Sequence, residues 1–159
     1  MPYIIDGHNL VPKIPGLNLA DVDDEDRLVE ILLKFCHHQE KRIEVFFDKS
    51  PPGGVRSRNH GPVTARFVPE GTSADEAIYR RLKQLGRAAR NWIVVSSDQR
   101  IRAEALAVHS QYLSSEDFAI TMLHKLASHQ NKLSESEEVQ MNREEIEEWM
   151  RLFNPKEKE

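Results

Sequence analysis

The segment Tyr3-Ile4-Ile5-Asp6-Gly7-His8-Asn9 contains a short apolar run that ends on an aspartate. The same pattern recurs in Ile43-Glu44-Val45-Phe46-Phe47-Asp48 and in Trp92-Ile93-Val94-Val95-Ser96-Ser97-Asp98. A fourth acidic segment, Thr72-Ser73-Ala74-Asp75-Glu76, opens a predicted helix. Because open α/β sheets gather their functional sites outside the carboxyl ends of the strands, these segments predict acids that converge at one sheet edge.

Strand and helix patterns alternate along the whole chain. Strands are predicted at residues 3–5, 43–47, 63–68, 92–97 and 107–109. Helices are predicted at residues 24–39, from Thr72 or Ser73 to Leu85, at 99–106, and from Ser114 or Ser115 to about His129. Proline and glycine predict loops without regular structure at residues 6–20 and 49–62. The alternation predicts an α/β fold of three layers, α/β/α, with a mostly parallel central sheet.

The chain is predicted to form one main domain with a short tail. Its 159 residues suit a single domain over residues 1–130, followed by a polar linker over 131–141. A capping box at Asn142–Glu145 predicts a C-terminal helix within residues 142–159. That helix either packs on the domain, which is the default, or docks on a partner.

Composition points to a cytoplasmic protein with no membrane association. Hydrophobic residues make up 39% of the chain and charged residues 30%, as in ordinary globular domains. There is neither an apolar run of roughly 20 residues, as a membrane span needs, nor a signal-peptide layout. The single cysteine, Cys36, lies in a helical pattern and is predicted to be a buried apolar side chain.

Positive charge is concentrated in the middle of the chain, although the net charge is −4. Between Lys49 and Arg102 there are eleven Lys and Arg against four acids. Such asymmetry indicates either a basic face toward an anionic partner or an ordinary solvated surface.

Each acid in the four segments has an ordinary structural explanation when it is taken singly. Asp6 could form a turn with nearby backbone, Asp98 could cap a helix, and Asp75 and Glu76 could complement a helix dipole. Three or four acids at one edge, however, repel one another unless a cation compensates them. Oxygen ligands favour Mg²⁺, and the seven histidines show no zinc-like spacing.

Two further aspartates have alternative roles. Asp48 follows the second strand and could be a metal ligand, a residue that positions the metal ligands, or an anchor for the next loop. Asp117 lies three residues after Ser114, where a helix-capping acid would lie.

At these residues the chain resembles the NYN branch of the PIN-like nucleases, most closely the YacP-like family. The matching elements are Ile4-Ile5-Asp6-Gly7-His8-Asn9, Val45-Phe46-Phe47-Asp48, Gly71-Thr72-Ser73-Ala74-Asp75-Glu76-Ala77-Ile78 and Val94-Val95-Ser96-Ser97-Asp98, in matching order over about residues 2–130. His8 departs from the pattern, because an aromatic residue is common at that position.

The resemblance implies a PIN-like fold and Mg²⁺- or Mn²⁺-dependent endoribonuclease activity. It implies a catalytic set of Asp6, Asn9, Asp75 and Asp98, with the three aspartates as metal ligands. Supporting roles are assigned to Asp48, Glu76, Ser97 and Asp117. Some relatives associate with the ribosome and cut mRNA, which makes RNA, and mRNA in particular, the expected substrate and the ribosome a candidate partner.

The implied mechanism is hydrolysis by a metal-activated water, which leaves a 5′-phosphate and a 3′-hydroxyl. Arg56, Arg58 and His60 on the predicted loop, with Arg100 and Arg102 just past the site, are the residues expected to contact the RNA backbone.

Two other functions are consistent with the same residues. The first is a small phosphohydrolase with Asp6 as nucleophile, although such enzymes usually carry a second aspartate where His8 stands here. The second is a non-catalytic RNA- or ribosome-binding module. Turnover of a small phosphomonoester would indicate the first, and RNA binding without cleavage would indicate the second.

Overall fold

Six strands form one sheet with the order β3-β4-β2-β1-β5-β6 in the computed structural model, which describes residues 1–17, 24–48, 56–69 and 71–134. The strands are β1 Tyr3–Asp6, β2 Ile43–Phe47, β3 Ser57–Asn59, β4 Val63–Phe67, β5 Ile93–Val95 and β6 Gln111–Leu113. All neighbours pair in parallel except β3 and β4, which are antiparallel. The predicted mostly parallel sheet is confirmed.

The described helices are α1 Gly7–Leu10, α2 Asp24–Gln39, α3 Ala74–Leu85, α4 Gln99–Ala107 and α5 Ser115–Ser134. Two 3₁₀ helices, Val11–Lys13 and Gly86–Asn91, follow α1 and α3. No helix within these described ranges is long and apolar enough to cross a lipid bilayer.

Helices cover both faces of the sheet, so the central strands are buried on both sides. Ile5 and Val45 belong to a core packed by α2 and α5, whereas Ile4 and Phe46 belong to a core packed by α3 and α4. All four residues of β1 and all five of β2 are buried, which explains why these strands are apolar apart from Asp6 and Glu44. The predicted three-layer α/β/α fold is confirmed.

Aromatic side chains fill the core on the α2 and α5 face. The Tyr3 ring lies edge-on to Phe35 and Phe118, with ring centroids 6.0 and 5.2 Å apart. Cys36 belongs to the same core, where burial raises the pKa of its thiol to about 11. The prediction that Cys36 is a buried apolar side chain is therefore confirmed.

Three local predictions were wrong, and each has a physical reason. Residues 6–20 were predicted as a loop, but α1 and the Val11–Lys13 helix begin directly after β1, because Leu10, Val11 and Ile14 bury their side chains. Pro12 is compatible with this, since it stands in the first turn of the 3₁₀ helix, where no backbone N–H is needed.

The predicted strand at residues 107–109 is replaced by β6 at Gln111–Leu113. His109 has φ 62°, so the chain reverses there to end α4, and only then aligns beside β5. The predicted irregular loop at 49–62 contains β3, whose three exposed residues pair with β4 across a turn at Gly61.

The tail predictions fall largely outside the described residues. Helix α5 continues to Ser134, into the segment predicted as linker. The rest of the linker, the capping box and the C-terminal helix lie beyond that point.

Gly7 is required by the close approach of α1 to β2. A Cβ at this position would lie 2.4 Å from Cε1 of Phe47 and 2.9 Å from the backbone oxygen of Phe46. Phe47 cannot move aside readily, because it is fully buried and stacks on Phe67 at 5.7 Å between ring centroids.

We therefore expect Gly7→Ala to lower the free energy of unfolding by about 1–3 kcal/mol, since overpacking strains a close-packed core. Urea denaturation with matched m values would measure the effect. An unchanged denaturation midpoint would contradict the close contact at this junction.

Candidate active site

Four aspartates lie around the carboxyl ends of the central strands, and we call this set the acidic edge. Asp6 is the last residue of β1, Asp48 follows β2, Asp98 follows β5, and Asp75 lies in the first turn of α3. Because β1 lies between β2 and β5, Asp6 occupies the middle of this edge. The site residues predicted from strand ends are thus placed at one end of the sheet.

Asp6 is the most buried acid of the set, with 2% of its surface exposed. Its Oδ2 accepts a hydrogen bond from Nδ2 of Asn9 at 2.7 Å, and the hydroxyl of Ser96 lies 3.4 Å from the same oxygen. Asn9 also accepts a hydrogen bond on Oδ1 from the backbone N–H of Ser97 at 3.2 Å. The Asn9 amide therefore ties the end of β1 to the end of β5 and fixes the orientation of Asp6.

Asp98 is held by the turn between β5 and α4. Its Oδ1 accepts a hydrogen bond from the backbone N–H of Arg100 at 2.7 Å, so it caps α4. Its own N–H donates to the Ser96 hydroxyl at 3.0 Å. Asp98 therefore has the helix-capping role that was considered for it. The capping bond uses Oδ1 and leaves the second carboxylate oxygen, Oδ2, outside it.

Asp48 joins α1 to α3. Its Oδ1 accepts a hydrogen bond from the backbone N–H of Ala74 at 2.6 Å, and its Oδ2 lies 2.8 Å from Nδ1 of His8. The start of α3, and with it Asp75, is therefore positioned by Asp48. Three roles were considered for Asp48. These contacts fit the role in which Asp48 positions the metal ligands without binding the metal itself.

Burial and neighbouring acids raise the pKa values of Asp6 and Asp75. Burial raises the pKa of Asp6 to about 6, and the charges of Asp75 and Asp48 add to this, while Asn9 and His8 act in the opposite direction. Burial also raises the pKa of Asp75, followed by the charge of Asp98, whereas Arg100 lowers it. The carboxylates are therefore close enough to repel one another appreciably.

His8 lies among these acids, with its Nδ1 2.8 Å from Oδ2 of Asp48. Glu25 raises the pKa of His8 most, burial opposes this, and Asp48 and Asp6 raise it further. The resemblance placed His8 where an aromatic side chain is common, and its ring does lie beside Phe47 at 6.3 Å between centroids.

The donor set of the acidic edge fits a hard divalent cation. Carboxylate and amide oxygens are the ligands that Mg²⁺ and Mn²⁺ prefer, and the mutual repulsion of the acids favours a cation between them. Across the described part of the chain, no three His, Cys, Asp or Glu side chains are already gathered as a metal site. Water would therefore complete the coordination of an ion bound at this edge.

The remaining predicted supporting residues divide into two groups. Ser97 donates from its hydroxyl to Oε2 of Glu116 at 2.9 Å, beside the site. Glu76 is exposed and lies 4.0 Å from Arg80 on the next turn of α3, and Asp117 is exposed where the Ser114 hydroxyl caps α5. Neither of these two acids is engaged at the acidic edge.

Glu116 was missed by the sequence analysis. Its Oε1 lies 2.8 Å from Nζ of Lys13, and the hydrogen bond from Lys13 is the main reason that its pKa falls to about 2. Together with its contact to Ser97, this links α5 and the Val11–Lys13 helix to the turn that carries Asp98. The sequence offered only two adjacent acids at a helix start, and spacing alone does not say which of them turns toward the site.

The predicted RNA-binding residues lie in different places. Arg100 stands at the acidic edge, whereas Arg102 packs over the Tyr112 ring at 5.8 Å from its centroid. Arg58 lies over Phe67 at 5.8 Å and 3.9 Å from Asp26 of α2. The other two, Arg56 and His60, are exposed on either side of β3.

A three-layer α/β/α fold with acids at the carboxyl ends of β1 and β5 defines a domain of nuclease type. The chain belongs to the YacP-like NYN domain family, whose model matches residues 3–154. The family predicted from the four acidic segments is thereby confirmed.

Solved structures of similar fold agree with the three-layer architecture. The W164L mutant of Rae1 (YacP) from Bacillus subtilis superposes with a TM-score of 0.71 at 19% identity, over 91% of this chain and 89% of that one. A second structure of Rae1 (YacP) from the same organism gives a TM-score of 0.66 at 18% identity, over 96% and 94% of the two chains. No curated protein matches this sequence significantly.

Proposed function

We propose that this protein is a metal-dependent endoribonuclease that hydrolyses RNA phosphodiester bonds at the acidic edge. The observation that carries the proposal is the placement of Asp6: a nearly fully buried carboxylate at the centre of the edge, with a pKa raised to about 6 by burial and by neighbouring acids. Buried carboxylates that repel one another are costly for a fold, and a divalent cation relieves that cost.

Asp6, Asp75 and Asp98 would hold the cation, Mg²⁺ or Mn²⁺. When bound, such an ion supplies the charge that polarises the scissile phosphate and lowers the pKa of an attacking water. Asn9 keeps the Asp6 carboxylate in one orientation, and Asp48 holds the first turn of α3 and hence Asp75. Arg100, beside Asp75, offers positive charge to the phosphate that is cut.

RNA as the substrate class rests on the family. The resemblance stated above further implies mRNA as the target, the ribosome as a partner and the cytoplasm as the location. Arg56, Arg58, His60, Arg100 and Arg102 remain the proposed contacts to the RNA backbone, with Arg100 nearest to the acids.

Cleavage of an end-labelled, unstructured RNA tests the proposed chemistry. We expect cutting with Mg²⁺ or Mn²⁺, none with EDTA, and products with 5′-phosphate and 3′-hydroxyl ends, because water is the nucleophile. Asp98→Asn protein should not cut the RNA that wild-type protein cuts. Cleavage in EDTA, or products with 2′,3′-cyclic phosphates, would contradict a metal-activated water. RNA binding without any cleavage would indicate the binding-module alternative.

A further inference from the structure

Two cavities open on the α3 face of the sheet, away from the acidic edge. The first, of about 280 Å³, lies at the amino ends of the central strands and is lined by Arg42, Pro62 and Trp92 among others. The second, of about 410 Å³, lies beside the start of α3 and includes Thr72 and Arg80. Both are bordered by one pair of side chains, Arg66 and Arg81. We call the two cavities together the arginine groove.

A buried carboxylate holds the arginine pair in place. Glu44 of β2 is 9% exposed, and its Oε1 accepts hydrogen bonds from Nε of Arg66 at 2.9 Å and from Nε of Arg81 at 2.8 Å. Its Oε2 accepts a further bond from a terminal guanidinium nitrogen of Arg81 at 2.8 Å. The Arg81 guanidinium also lies over the Trp92 ring, 5.5 Å from its centroid. The two guanidiniums are thus fixed before any ligand arrives.

Positive charge exceeds what the carboxylates in contact with it can balance. Five arginines line the groove, namely Arg42, Arg56, Arg66, Arg80 and Arg81. Within the described part of the chain, the acids that pair with them are Glu44 and, at 4.0 Å from Arg80, Glu76. Arginines in excess of carboxylates along an open groove form a surface that follows the phosphates of single-stranded nucleic acid.

The groove leads away from the acidic edge. Thr72, at one end of it, stands three residues before Asp75 in the connection between β4 and α3. Arg42, at the other end, precedes β2, whose five residues span about 13 Å from first to last at the usual rise of a strand. A chain cut at the acids could therefore continue along this face for several phosphates.

We propose that the arginine groove binds the backbone of single-stranded RNA adjacent to the phosphate that is cut. This inference rests on the proposed function, because it takes RNA as the substrate. The contacts are to phosphates, so the groove binds without reading sequence. Cavities of this size hold single nucleotides, and duplex RNA should bind more weakly.

A pair of charge-matched double variants tests the groove. Arg42→Gln with Arg80→Gln removes one exposed arginine from each cavity and leaves the Glu44 pair intact. Lys34→Gln with Lys125→Gln removes the same charge from exposed positions on α2 and α5, across the sheet. Both are made in Asp6→Asn protein, and binding of a labelled uridine-rich RNA is followed by anisotropy in EDTA over a range of salt concentrations.

We expect the groove variant to bind about tenfold more weakly and its salt slope to fall by about 1.4, which is roughly 0.7 for each lost phosphate contact. The α2 and α5 variant should keep the slope of its Asp6→Asn parent. Equal losses in the two variants would overturn the proposal, because net charge alone would explain them. Loss of binding to polyglutamate in the groove variant, with RNA binding unchanged, would overturn it in favour of an acidic protein partner.

The outcome is separable from that of the proposed nuclease site. If the groove variant binds RNA more weakly while Asp6→Asn protein still cleaves RNA, the proposal for the arginine groove is supported and the catalytic assignment is wrong. If the wild type cuts RNA in a metal-dependent way and the two double variants bind alike, only the groove is overturned.

Discussion

Asp6→Asn should lower the rate of RNA cleavage by about a thousandfold and, at the same time, make the metal-free protein more stable. The loss of activity follows because a neutral amide at the centre of the acidic edge replaces the charge that a divalent cation needs, an effect on the scale of removing a main electrostatic group. The gain in stability follows because the substitution removes a buried charge. The shape of the side chain and its acceptor oxygen toward Asn9 are retained.

The expected pH dependence follows from the raised pKa of Asp6, about 6 in the folded protein. An unfolded aspartate titrates near 3.9, so the folded protein binds the proton more tightly. The contribution of Asp6 to stability is therefore complete below pH about 4 and is lost as the pH rises through about 6. Over that window the loss amounts to about 3 kcal/mol. Asp6→Asn should abolish it.

Urea denaturation in EDTA at pH 5 and pH 8 would measure about half of this loss, about 1.4 kcal/mol, because the rest of the window lies below pH 5. Asp26→Asn is a suitable control, since Asp26 lies on α2 with 71% of its side chain exposed. That control should keep both the cleavage rate and the pH dependence of the wild type. Asp6→Asn protein that is inactive and less stable at pH 8 would indicate a structural role for the Asp6 charge.

Arg81→Met should lower the free energy of unfolding by about 3 kcal/mol, because it removes the partner that makes two of the three hydrogen bonds to buried Glu44. The remaining partner, Arg66, has 41% of its side chain exposed and reaches Glu44 through one nitrogen. The substitution also removes the cation–π contact of Arg81 with the Trp92 ring, so the measured effect includes both interactions.

Arg80→Met provides the matched control one residue earlier on the same helix. Arg80 has 68% of its side chain exposed and meets Glu76 at only 4.0 Å, so its removal should change the free energy of unfolding by less than about 1 kcal/mol. Thermal and urea denaturation of both variants would separate them. Equal effects would mean that the Glu44 pair contributes no more than a surface contact.

The arrangement of the site was predictable where local sequence determines position. Buried parallel strands are mainly apolar, and residues at or just after their carboxyl ends lie at one edge of the sheet, so Asp6, Asp48 and Asp98 could be placed together from sequence. The first turn of α3 could be added because Ser73 caps it in the expected way.

Features that depend on distant partners could not be predicted. Glu44 stands inside an apolar run, and its partners are 22 and 37 residues away, so nothing local indicates the arginine groove. The β3 strand consists of exposed polar residues at an edge and has no apolar alternation. The position of β6 depends on where His109 ends α4, which is a matter of backbone geometry.

The neighbouring acids Asp75 and Glu76 give the most direct test of the acidic edge. Both lie in the first turn of α3, but only Asp75 is half-buried with a pKa raised by burial and by Asp98, whereas Glu76 is exposed beside Arg80. We would measure metal-dependent cleavage of one labelled RNA by Asp75→Asn and Glu76→Gln protein. The acidic edge predicts that Asp75→Asn loses activity by at least about a hundredfold and that Glu76→Gln keeps it. Equal activity in the two variants would contradict a nuclease site at this edge.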